Sequence, residues 1–153
     1  MRVNGTTDRT DADEALDAPR GPDPHTGEVH CRPCDVRRAV HRAVTARCGD
    51  GGRPYDEQAL CDALLVASEL TTNAILHGGG VTAYDVDLDG PAVRVSVSDR
   101  SDRLPVVAPP LDEHGRTRTG GRGWLIVCRL ARDVQVSGLP SGGKRITAVV
   151  PVY

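Results

Sequence analysis

The chain has 153 residues, about one domain's worth, and a chain of that length buries roughly 70% of its unfolded surface, enough for one core. Hydrophobic residues make up 39%, and Gly and Pro together number 28, which excludes collagen, a coiled coil and bulk disorder. A net charge of −2 does not suggest a nucleic-acid binder, and no run of 18 apolar residues points to a membrane span.

Residues 1–30 hold seven acids against three arginines, net −4, which leaves +2 for residues 31–153. Thr, Asp, Gly and Pro dominate this opening and its few apolar residues are aperiodic, so residues 1–33 are expected to be a disordered acidic tail. It has no apolar segment of the kind a secretory signal needs, and the expected compartment is the cytoplasm. The five cysteines, Cys31, Cys34, Cys48, Cys61 and Cys128, are expected to be reduced. Cys31 and Cys34 form one CxxC behind His25 and His30, but no second pair completes a tetrahedral metal site. The other three sit in apolar or helical runs and read as packing residues.

From Asp35 the pattern turns helical. Val36, Val40, Ala43 and Val44 recur on one face, Arg37, Arg38 and Arg42 lie outward, and the glycines from Gly49 on end the segment. A longer helix begins between Pro54 and Asp56 and runs to His77, with Leu60, Leu64, Ala67, Leu70 and Ala74 as its buried stripe. Gly78-Gly79-Gly80 stops it. Two alternating segments follow, VTAYDVDLDG and AVRVSVSD, joined by a hairpin signal at Asp89-Gly90. Residues 100–119 form a long aperiodic loop of the kind that is usually functional. A glycine-rich turn then opens an apolar helix, WLIVCRLA, and strands near 133–137 and 144–152 close the chain. The expected fold of residues 34–153 is α+β, a two-layer sandwich of a mainly antiparallel sheet with helices on one face.

Three groups of residues point to chemistry. Glu69, Asn73 and His77, four apart, lie along one helix face beside the buried stripe. Asn73 and the neighbouring Thr71-Thr72 are poor helix formers, a local cost more often found where function requires it. A carboxylate and an amide oxygen in line suit Mg²⁺ and a water or hydroxyl. Asp99 ends a strand just before the long loop, where a carboxylate can accept from an exocyclic amine or cap a turn. Gly120-Gly121-Arg122-Gly123 precedes a helix, so backbone can approach an anion closely, but it has neither the GK[ST] of a P-loop nor the βαβ setting of a dinucleotide fold.

Taken together, these motifs resemble those of the histidine-kinase-like (GHKL) ATPase superfamily, which includes gyrase, histidine kinases and MutL. The likeness covers about 120 residues, from about 34 to 152. Glu69-Leu70-Thr71-Thr72-Asn73-Ala74-Ile75-Leu76-His77-Gly78 is close to its N box. Ser98-Asp99-Arg100-Ser101 falls at the adenine box, Gly121-Arg122-Gly123 at the second glycine box, and Gly143-Lys144-Arg145-Ile146-Thr147 at the last box. The single-domain form is similar to anti-sigma factors that are also serine-protein kinases, a type abundant in actinobacteria.

The resemblance implies a Bergerat-type ATP-binding fold with ATP and Mg²⁺ as cofactors. Asn73 would coordinate Mg²⁺, with His77 on the same helix face at the site, and Glu69 would orient or deprotonate the attacking hydroxyl. Asp99 would bind the adenine amine, with Thr147 behind it. Residues 100–119 would be the ATP lid, and Gly121 and Gly123 would approach the phosphates. Ser101 stands where the adenine box normally has Gly, a departure that touches the base pocket. The implied partners are a sigma factor, on the first helix near Arg37, Arg38, His41 and Arg42, an anti-sigma-factor antagonist, and a second copy in a homodimer. The contrasting expectation is an ATP-sensing binding module without catalysis. A further alternative makes His30, Cys31 and Cys34 a redox-sensing metal patch.

Overall fold

The computed structural model describes residues 31–49, 51–52, 54–106, 113–116 and 121–153. The acidic opening to His30 and residues 107–112 and 117–119 of the expected lid lie outside the described residues, as does Gly120. The elements are α1 (Pro33–Gly49), α2 (Glu57–His77), β1 (Val81–Asp89), β2 (Ala92–Asp99), α3 (Gly123–Leu130), β3 (Asp133–Gly138) and β4 (Lys144–Pro151). The four strands form one antiparallel sheet in the order β1-β2-β4-β3, and the three helices and this sheet make the α+β fold that the sequence predicts.

α1 begins two residues earlier than Asp35. Pro33 takes the first helical position, where its missing N–H costs nothing. Asp35 reaches back to accept from the Arg32 N–H at 2.9 Å, as the third residue of a capping box does. That hydrogen bond, with smaller help from the Arg32 charge, holds the Asp35 carboxyl below its usual range. Val36, Val40 and Val44 are fully buried. At the head of α2, Asp56 accepts from the Ala59 N–H at 2.8 Å. Leu60, Ala67, Leu70 and Ala74 are buried as the stripe predicts. Ala63, Val66 and Thr71 join them, because α2 packs against α1, α3 and the sheet at once. The Thr71 hydroxyl donates to the Ala67 carbonyl at 2.7 Å, so this polar group is satisfied inside the core. By length and composition α2 could cross a membrane; in this fold Leu60, Ala63, Val66, Ala67, Leu70 and Ala74 belong to the domain core, while Leu65, Ile75 and Leu76 are exposed.

Strand parity assigns the two faces of the sheet. Val93, Val95 and Val97 of β2 and Ile146, Ala148 and Val150 of β4 join the helices in one core. Val86 and Leu88 of the edge strand β1 pack on it, while Tyr84 is exposed. The β1–β2 turn is Gly90-Pro91, one residue later than Asp89-Gly90, with Gly90 at φ 58°. A register shift between Val81 and Ala83 sits opposite the end of β2.

The cysteines need a correction. Cys48, Cys61 and Cys128 do lie in helices, but on the exposed faces, so they do not pack the core. Cys31 and Cys34 are half-buried. Burial first, then the neighbouring Asp35 and Cys34, pushes the Cys31 thiol up to about 11. Among the described residues no three His, Cys, Asp or Glu side chains gather as metal ligands.

Candidate functional site

The N-box stripe runs along α2. Glu69, Asn73 and His77 span about 12 Å at 1.5 Å per residue. Glu69 and Asn73 are half-buried and His77 is exposed in the last turn. The Glu69 end meets the N-terminus of α3. The Glu69 carboxylate lies so close to Gly123 that a Cβ there would overlap Oε2. Gly121, two residues before, has φ 77°, a conformation that favours glycine. Glu69 thus lies against the glycine-containing start of α3, with Asn73 one turn further along α2. The residues at this end fit Mg²⁺ and phosphates.

The other end of the stripe meets the end of the sheet. Gly78 caps α2, its N–H donating to the Ala74 carbonyl at 3.0 Å. The Arg100 N–H donates to the Gly78 carbonyl at 2.8 Å, which ties the end of β2 to the end of α2. Asp99 continues the core-facing parity of Val95 and Val97, so its side chain points toward Gly78. A Cβ on Gly78 would overlap the Asp99 carboxylate.

Asp99 is not an open acceptor there. Lys144 is its direct partner in the β2–β4 register. The Lys144 Nζ sits 2.9 Å from Oδ2 and 3.0 Å from Oδ1, with both side chains at most 5% exposed. Nζ also donates to the Ser101 carbonyl at 3.2 Å, and the Ser101 N–H donates to Asp99 Oδ1 at 2.9 Å. Ser101 therefore serves through its backbone, and its hydroxyl accepts from the Arg103 N–H at 3.2 Å. The Gly143 N–H donates to Asp102 Oδ1 at 2.8 Å, closing the corner.

Thr147 is elsewhere. Three residues beyond Lys144, it falls on the opposite face of the sheet, where its hydroxyl pairs with Ser96 Oγ at 2.9 Å. The expectation that Thr147 stands behind Asp99 is corrected by this alternation: the residue behind Asp99 is Lys144. Sequence reasoning passed over Lys144 as one letter of a box. Its signal was present, since it is the single lysine in a chain whose other cations are arginines.

The model of the histidine kinase-like ATPase domain matches residues 29–150. The chain belongs to this family. The match runs from just before α1 into β4 and so contains both ends of the α2 stripe. A search of curated proteins finds no match. Membership in this ATPase family implies ATP, typically with Mg²⁺, and supports an ATP-binding regulatory role. The base end offers a neutralised, buried carboxylate in place of a free one.

Proposed function

We propose that this histidine kinase-like ATPase domain is a cytoplasmic anti-sigma factor that uses Mg-ATP to phosphorylate a serine or threonine on an anti-sigma-factor antagonist. The observation that carries the reading is the placement of Glu69 against Gly123 at the start of α3, one helical turn from Asn73. The antagonist hydroxyl would attack the γ-phosphoryl group, Glu69 would take its proton, and ADP would leave. Asn73 would hold Mg²⁺, which spreads the phosphate charge when bound. Gly121 and Gly123 would let backbone approach the phosphates, and His77 would flank the nucleotide. Arg37, Arg38, His41 and Arg42 are all exposed on α1, which supports that face as the sigma-factor surface. A homodimer belongs to the same proposal.

The test is transfer of labelled phosphate from Mg-ATP to a candidate antagonist. Glu69→Ala is expected to abolish transfer and leave ATP binding intact. Full transfer by Glu69→Ala would refute the role of Glu69. The second reading, an ATP-sensing module that acts by occupancy alone, is favoured by the engagement of Asp99 with Lys144. Saturable ATP binding without transfer to any antagonist would select it.

A further inference from the structure

We propose that Lys144 fills the base-reading position of the nucleotide site, so that a nucleoside triphosphate is held by its phosphates with little discrimination between bases. The proposal rests on the nucleotide reading above and deepens it.

An exocyclic amine is recognised when a carboxylate has an open lone pair aimed at it. Asp99 does not present one. Oδ1 already accepts two bonds, from the Ser101 N–H and from Lys144 Nζ. Oδ2 lies 2.9 Å from Nζ in the ion pair and faces Gly78, where even a Cβ would overlap it. The ammonium in turn donates to Asp99 Oδ1 and to the Ser101 carbonyl, with Oδ2 at ion-pair distance. The cluster is thus ion-paired, buried and closed off by Gly78. A neutral base amine would have to displace an ammonium, whose full positive charge a buried carboxylate attracts more strongly than an amine dipole. Displacement would also leave the ammonium without its counter-charge at a position only 5% exposed.

The triphosphate end is untouched by this. Glu69, Asn73 and the Gly121–Gly123 turn lie about 7 Å or more back along α2 from Gly78. What they contact is common to every nucleoside triphosphate. Selectivity for adenine would have to come from Asp99, and Lys144 has taken it.

The experiment is an equilibrium titration of the full chain, in Mg²⁺, with ATP, GTP and inorganic tripolyphosphate. The expected result is that ATP and GTP bind with Kd values within about threefold and that tripolyphosphate competes with both. Tenfold or greater preference for ATP would overturn the proposal while leaving the nucleotide reading intact. Failure of all three to bind would overturn both, so the two failures are distinguishable. Lys144→Thr adds a second arm. Its shorter hydroxyl can satisfy one carboxylate lone pair and leave the others open, and β-branching suits the strand. Folded Lys144→Thr is expected to gain about tenfold preference for ATP over GTP, in line with a hydrogen bond to a charged group. An unchanged ratio in the folded variant would overturn the proposal. Should that variant fail to fold, the wild-type ratio decides by itself.

Discussion

Removing the cation from the end of the sheet gives the sharpest physical test of the site. Lys144→Met keeps the aliphatic stem and deletes the ammonium. The Asp99 carboxylate, 3% exposed, is then left with the Ser101 N–H as its one remaining donor within the cluster. Breaking a buried pair from one side costs about 3–5 kcal/mol, against about 0–1 kcal/mol for an exposed pair. With a urea m-value of about 2 kcal/mol/M, the unfolding midpoint should fall by roughly 2 M. Asp99→Leu, which keeps the branched shape, strands the ammonium and should cost a similar amount. The double variant Asp99→Leu, Lys144→Met replaces both charges with apolar groups of like volume. It should recover most of the loss, short of about 1–3 kcal/mol for the Ser101 N–H left without its acceptor. Urea denaturation of the four proteins therefore should give a coupling energy above about 2 kcal/mol. Single variants that each cost less than about 1 kcal/mol, with additive behaviour in the double, would show a solvated pair. The case for a buried ion pair would then collapse.

Gly123→Ala should disturb the phosphate end without touching the core. The added Cβ overlaps Glu69 Oε2, so the carboxylate must swing away. Phosphoryl transfer should fall by at least tenfold while thermal stability changes by no more than about 1 kcal/mol; undiminished transfer would separate Glu69 from the chemistry. The thiols offer a pH test. Cys31, pushed up to about 11, is almost wholly protonated at pH 8, whereas the exposed Cys48, Cys61 and Cys128 meet solvent directly. Timed alkylation with mass-spectrometric mapping should modify those three first and Cys31 last, with Cys31 accelerating as the pH rises toward 11. Labelling of Cys31 as fast as the exposed three would contradict its burial.

Much of this molecule is legible along the chain, because periodicity is a local property. The valines of α1, the stripe of α2 and the alternation of β2 each name an element and its inner face from a short window. The N box is legible for the same reason: three polar residues at spacing four must share a helix face whatever the rest of the protein does. The fold class follows from the order of such elements. Exposure of the helical cysteines was not legible, since an apolar run of sequence does not say which side of a helix is covered.

The base end of the site was decided by tertiary structure alone. Asp99 and Lys144 are 45 residues apart, and only the β2–β4 register sets them opposite each other. A shift of one residue would turn Lys144 to the far face and bring a different neighbour to Asp99. Likewise Thr147, which the motif places beside Asp99, is carried to the far face by side-chain alternation along β4. Sequence determined which residues were available for the site. Strand pairing determined which of them meet, because register is set by long-range packing of the core face and not by any local spacing.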